Sequence, residues 1–244
     1  MSEETTPGTK LRVMGIGAHP DDLELLCGGT LARYVEEGHH VTMCHIARGD
    51  RGATTGERAE VAATRRGEGE AAAASIGASY RGLDVPDGEV NASDEAQKAL
   101  VTEAIRQVRP DVIITHSPGD YMEDHNQASE LAFSCSFLAT LPLYETDSVH
   151  LDVVPALLYM DTLAGLGFHP TEFVDITLQL EKKLDMMRQH TSQITWLEHH
   201  DDMNVLGQIT TVAAFRGFQS GVRYAEGFTP CTVHLRTRTR RLLP

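Results

Sequence analysis

The stretch Gly15-Ile16-Gly17-Ala18-His19-Pro20-Asp21-Asp22-Leu23-Glu24 directly follows an apolar run at 11–16. An apolar run of this length, broken by Gly, Pro and Asp, predicts a buried parallel strand that ends in a tight loop. Open α/β sheets bind ligands beyond the carboxyl ends of their strands, so this loop is where chemistry is expected. A dinucleotide fingerprint is not present, because a third small residue would be needed where Pro20 stands. His19 and Asp22 offer one nitrogen and one hard oxygen to a cation, and Pro20 stiffens the loop between them. Asp21 is then left for proton transfer. The competing assignment is that the aspartates only cap the helix that follows.

Working outward, Leu31, Tyr34 and Val35 share one helical face before Gly38, and 41–47 is a second strand. Residues 11–47 therefore form one βαβ unit with parallel strands and a right-handed crossover. A loop at 48–56 rich in Gly, Arg and Thr leaves the second strand at the same edge as His19. A helix at 57–76 carries Arg65 and stops at Gly77, and a short strand at 79–83 precedes the turn Val85-Pro86-Asp87-Gly88. Asp87 is either a contact for substrate hydroxyls or an ordinary Asx-turn. A helix capped by Ser93 then runs to Arg109.

The clearest strand, 111–116, empties into a second polar cluster ending Tyr121-Met122-Glu123-Asp124-His125, with a helix expected at 126–138. From the start of that helix His125 can point back toward His19 and Asp22. Two nitrogens and one carboxylate leave a coordination position open, as in catalytic rather than structural zinc sites. Later strands at 156–160 and 173–176 and an amphipathic helix at 178–190 complete an α/β fold with a mostly parallel sheet. The group His199, His200, Asp201 and Asp202 has no strand feeding it and reads as surface.

The chain has 244 residues, 41% of them hydrophobic, which suits one domain at 11–235 between a disordered segment at 1–10 and a basic tail at 236–244. A net charge of −14 argues against nucleic acid as a partner. The tail Arg236-Thr237-Arg238-Thr239-Arg240-Arg241 is expected to be a solvated arm, or a strap onto an acidic neighbouring subunit. Its four cysteines lie far apart with no C-x-x-C pair, so no disulfide framework is indicated. With no signal-peptide pattern and no run of membrane-spanning length, a cytoplasmic protein without a membrane partner is expected.

Ala18-His19-Pro20-Asp21-Asp22 with a distant Asp124-His125 resembles the PIG-L/LmbE family of zinc-dependent N-deacetylases. Gly28-Gly29-Thr30-Leu31-Ala32, Arg65-x-x-Glu68, Asp87-Gly88, His190-x-Ser192-Gln193 and Tyr224-Ala225-Glu226-Gly227-Phe228 extend the likeness through most of the chain. The resemblance implies a Rossmann-like three-layer sandwich and removal of an acetyl group from an N-acetylglucosamine conjugate. It implies a zinc ion, or another divalent metal, held by His19, Asp22 and His125, with Asp21 as general base. Arg65 and Asp87 match positions that contact substrate hydroxyls, and Asp124 is expected to orient a neighbouring ring. A homo-oligomer is the expected assembly.

One position departs from the pattern: Met122 stands where many relatives carry the first histidine of H-x-x-H, which supports the tetrahedral intermediate. A thioether cannot take that role. His116, Tyr121 and the Arg48–Arg51 loop are the candidates to replace it, with His116 foremost. Two further readings are hydrolysis of another bond, such as a phosphoester, with a second metal on His116 and Asp120, and a sugar-binding module without catalysis.

Overall fold

The 11–16 run forms strand β1, Arg12–Gly17, buried at every position after the first. The computed structural model describes residues 10–237 and 242–244. The remaining elements in chain order are α1 (Asp22–Glu36), β2 (His40–Ala47), α2 (Arg58–Ile76), β3 (Ser79–Val85), α3 (Glu95–Val108), β4 (Val112–Thr115), α4 (Glu123–Leu138), β5 (Ala156–Met160), β6 (Glu172–Asp175), α5 (Leu180–Gln189), α6 (Thr191–Asp201), α7 (Val205–Ser220) and β7 (Ala225–Pro230).

The strands make one sheet in the order β3-β2-β1-β4-β5-β7-β6. All pairings are parallel except those of β7, which runs antiparallel to both β5 and β6. Because side chains alternate across a strand, neighbours in the buried strands serve opposite layers. Val13, Val112 and Ile114 join one core with Leu31 of α1, Met187 of α5 and Ile209 of α7. Met14, Ile16 and Ile113 join the other with Ile105 of α3 and Leu131 of α4. This is the three-layer α/β sandwich expected. No helix among the described residues is long and apolar enough to cross a membrane.

Several boundaries differ from the sequence reading. Helix α1 begins at Asp22, well before the face of Leu31, Tyr34 and Val35, so the polar motif leads straight into the helix. The N-cap of α3 is Asp94, whose side chain accepts from Ala96 N–H and Gln97 N–H, rather than Ser93. Helix α4 begins at Glu123, which puts His125 inside its first turn. Residues 199–201, read as surface, belong to the last turns of α6, and His200 lines a cavity. Strand β7 was not foreseen, because Glu226 and Gly227 interrupt any apolar run.

Gly15 has a packing role in place of the excluded dinucleotide one: a Cβ there would lie 2.9 Å from Leu23 Cδ1, so the bare strand lets α1 close onto it. Glu226, buried in β7, accepts from the backbone N–H of Gly29 at 2.9 Å and of Thr30 at 2.7 Å, and from Lys183 Nζ at 2.5 Å. Gly29 is required there, since a Cβ would fall 2.8 Å from Ile176 Cγ2. The tail is docked where it is described. Arg236 is buried and donates to Pro155 O and Phe133 O, and Tyr34 Oη donates to Leu242 O. That corrects the solvated arm at those positions, while 238–241 and 1–9 lie outside the described residues.

Removing Glu226 leaves the Lys183 ammonium buried without its partner. Glu226→Ala is expected to cost about 3–5 kcal/mol in urea unfolding, and Glu226→Gln combined with Lys183→Met clearly less. Equal losses in the two variants would show that the pair is not what joins α1, α5 and β7.

Candidate active site

Strand order reverses between β1 and β4, whose crossovers go to opposite sides, and such a switch point opens a crevice at the carboxyl edge. The loops leaving these two strands carry the two polar clusters. A cavity of about 540 Å³ opens there, lined by His19, Asp21, Asp22, Asp124 and His125 among others.

His19, Asp22 and His125 offer ligand atoms that all lie within 4.8 Å of one another. Asp22 Oδ1 is 3.2 Å from His125 Nε2, and its Oδ2 is 3.6 Å from His19 Nδ1. The other nitrogen of each ring meets its own carboxylate: His19 Nε2 lies 3.0 Å from Asp124 Oδ2, and His125 Nδ1 lies 3.1 Å from Asp120 Oδ1. Carboxylates on the far side of ligating imidazoles fix ring orientation and tautomer and raise donor strength. Two imidazoles and one carboxylate suit a borderline divalent cation such as zinc, so the donor set fits.

The charge balance agrees. Burial opposes a charge on His19, but Asp124 and Asp22 outweigh it and raise its pKa to about 10. Burial also opposes a charge on His125, and Asp22 and Asp120 lift it to about 10. Burial alone would raise Asp22, yet the His125 and His116 imidazoles hold its carboxyl well below the usual range. An acidic pocket that attracts protons this strongly attracts a cation that displaces them.

Asp21 sits at the N-cap position of α1 with φ 124° and ψ −24° and makes no capping hydrogen bond, which removes the helix-cap assignment. A non-glycine residue in this region costs about 1–3 kcal/mol and persists only where its surroundings impose it. Arg65, almost fully buried, supplies that restraint: its Nη2 donates to Pro20 O at 2.5 Å and lies 3.4 Å from Asp21 Oδ1. Burial pushes the Asp21 carboxyl up to about 6, against the pull of Arg65. Beneath the loop, the buried Glu24 takes His190 Nε2 at 2.9 Å and faces His45 Nε2 at 3.8 Å. Burial drives His45 down to about 4, so it stays neutral.

The sequence profile of the PIG-L family, described as GlcNAc-PI de-N-acetylase, matches residues 14–136, which hold both clusters. The chain belongs to the PIG-L family. It is 31% identical to a diacetylchitobiose deacetylase of Thermococcus kodakarensis, over 88% of this chain and 81% of that one. A 1D-myo-inositol 2-acetamido-2-deoxy-alpha-D-glucopyranoside deacetylase of Streptomyces griseus is 34% identical over 57% of this chain and 52% of its own length. Among solved structures, a 4-carboxy-2-hydroxymuconate hydratase from Pseudomonas putida superposes with a TM-score of 0.80 at 25% identity, covering 94% of this chain and 98% of that one.

In this PIG-L protein several expected contacts are rearranged. His116 is fully buried and is not on the cavity wall. Its Nε2 accepts from Ala18 N–H at 3.0 Å and lies 3.1 Å from Asp22 Oδ2, and its ring stacks on His125 at 4.0 Å. It therefore backs the cluster and does not reach a substrate oxygen, which corrects its expected place as oxyanion donor. Of the other candidates for that place, Tyr121 and Arg51 line the cavity beside Met122.

Asp87 also lines the cavity, but Oδ1 accepts from Gly49 N–H at 2.6 Å and Oδ2 from Arg51 N–H at 3.1 Å, so it clamps the 48–51 loop. These bonds reach back to the 48–51 loop and form no Asx-turn. Arg65, expected on substrate, is turned to the Pro20 carbonyl.

A second group, His116, Asp120 and His125, could also gather a cation, but it shares His125 with the first. Filling both would need both His125 ring nitrogens deprotonated, which favours one ion. The partnership of Asp120 with His125 was not foreseen, since a five-residue offset across a loop has no helical or strand period. Asp50, which holds Arg48, Arg58 and Asp87 N–H, was missed for the same reason.

Zinc is expected to raise the melting temperature of the protein, by ligand linkage worth about 2.7 kcal/mol at a hundredfold excess over Kd. Asp120→Asn is expected to weaken zinc binding about 10–100-fold in competition with a chromophoric chelator. Unchanged affinity would remove Asp120 from the support of His125.

Proposed function

We propose that this PIG-L protein is a zinc-dependent N-deacetylase of N-acetylglucosamine conjugates. The observation that carries the reading is the meeting of two imidazoles and one carboxylate with a second, strained carboxylate on the wall of one cavity. The family and the two deacetylase relatives support it.

His19, Asp22 and His125 would hold the ion, which supplies a Lewis acid that lowers the pKa of a water toward ~7 and polarises the acyl carbonyl. Asp21 accepts the proton of the attacking water and returns it to the departing amine, a role suited to a carboxyl raised toward neutrality by burial. Arg65 fixes that carboxylate through the Pro20 carbonyl, and Asp124 and Asp120 hold the two imidazoles. Tyr121, at the cavity mouth with its ring edge-on to His125 at 5.7 Å, offers a hydroxyl to the developing oxyanion in place of the histidine that Met122 lacks.

The likeness to the hydratase raises a second reading, water addition to an unsaturated carboxylate. Arg65 is committed to Pro20 O and Asp21, whereas Arg51 lines the cavity with only its Nη2 given to Glu89 at 2.5 Å. The amide reading rests instead on the two deacetylase relatives.

Acetate release from a panel of N-acetylglucosamine derivatives by zinc-loaded protein is the deciding assay. Asp21→Asn is expected to lower turnover about 10²–10⁴-fold at unchanged zinc content. Acetate release that survives this change would exclude Asp21 as the base, and absorbance loss with 4-carboxy-2-hydroxymuconate in place of acetate release would establish the hydratase.

Tyr121→Phe is expected to lower kcat about 10²–10³-fold with little change in KM. His116→Ala, by contrast, is expected to weaken zinc binding. The opposite pattern would return the oxyanion role to His116.

A further inference from the structure

Helix α7 differs from the rest of the surface. In a chain of net charge −14, it is the one α-helix among the described residues with no charged side chain at an exposed position. Its single charge, Arg216, is buried and paired with Asp161 at 2.6 Å and 2.9 Å. Val205, Ile209 and Ala213 join the core, while Thr211, Phe215 and Phe218 form an outer stripe at i, i+4 and i+7. Phe215 is 51% exposed and Phe218 86%. The Arg216 guanidinium lies 5.3 Å from the Phe215 ring centre and donates to Gly165 O at 3.2 Å, which places the adjoining Leu166, 76% exposed, beside the stripe. Scattered exposed apolar side chains are ordinary, but an apolar stripe on an uncharged helix marks a contact surface.

We propose that this face pairs with the same face of a second copy of the chain, α7 lying antiparallel to α7 across a twofold axis. Charge selects this occupant. Two acidic bodies repel, so they meet most favourably through a patch that carries no charge, and α7 supplies one. A basic partner would gain nothing from an uncharged stripe on an acidic molecule.

The residues along the helix suit the antiparallel arrangement. Exposed Asp202 precedes α7 and exposed Arg223 follows it, so a twofold axis across the middle turns each Asp202 toward the partner subunit's Arg223. The two helix dipoles are then opposed as well. The axis falls near Phe215, and each Phe218 comes over the partner subunit's Thr211, large against small. Phe215, Phe218 and Leu166 together expose on the order of 400 Å², about half of the ~800 Å² that each partner of a stable interface buries. Gln208 and Gln219 provide a polar rim.

The full chain is weighed by analytical ultracentrifugation at low and moderate salt. Wild type is expected to sediment with an even number of chains. Phe215→Asp/Phe218→Asp is expected to halve that number and to raise the dissociation constant roughly 10²-fold or more. Unchanged far-UV circular dichroism of this variant guards against a folding defect. Salt is expected to tighten the wild-type dimer, because it screens the repulsion between two acidic bodies.

The four native cysteines are buried, so introduced ones can be cross-linked cleanly. Thr211→Cys/Phe218→Cys is expected to join two chains under mild oxidation. Neither single variant is, because like positions would stand about 10 Å apart, beyond the ~7 Å reach of a disulfide. A wild type that stays monomeric, an undiminished assembly in the aspartate variant, or a double cysteine variant that does not cross-link overturns the inference. Binding of wild type to phosphatidylcholine vesicles that the aspartate variant loses would also overturn it, by making the face a lipid contact. The dimer does not depend on the deacetylase reading, and none of these measurements reads acetate release.

Discussion

Nearly every feature of the site converges on the Asp22 carboxylate. It is buried at the start of α1, accepts the His19 backbone N–H at 2.6 Å, and touches the imidazoles of His116 and His125. An isolated buried carboxylate is costly, and here it is balanced only because the loops after β1 and β4 bring their polar groups to the same point. The sheet makes this possible by placing β4 beside β1 although nearly a hundred residues separate them in the chain.

Around that carboxylate the molecule divides support from reaction. Asp124 and Asp120 hold the outer faces of the two imidazoles, and Asp124 also accepts from Gly88 N–H at 2.7 Å, joining the cluster to the turn after β3. His116 backs the cluster from the protein side. Asp21 alone is held in a strained backbone conformation with its carboxylate on the cavity wall, and Arg65 is the restraint. Strain that the surroundings impose on one residue of an otherwise relaxed loop is a feature of pre-organised sites.

The same logic appears away from the site. Glu226 lies in a strand that crosses the expected parallel order, satisfies two N–H groups within α1 and neutralises Lys183 of α5. One charge thereby ties the antiparallel edge to the helix that carries Asp22. The helix next in sequence to α5, α6, supplies the apolar wall of the cavity, so the edge that departs from parallel topology also shapes what the site admits.

The sequence by itself determined the sandwich and the identity of the cluster. Apolar strands alternating with helices permit few other arrangements, and His19, Asp22 and His125 sit at strand ends where a parallel sheet must gather its loops. Only the tertiary structure decided which polar residues face the cavity and which stand behind it. His116, Asp87 and Arg65 carry side chains that suit substrate, yet each is turned to a backbone or carboxylate partner. Asp120 and Asp50 gain their places from loops with no sequence period, and Gln193, Trp196, Leu197 and His200 share a helical period that only the packing of α6 turns toward the cavity. Periodicity records which side of an element is buried, whereas the direction of a polar side chain in a loop is set by long-range hydrogen bonds that exist only once the chain has folded.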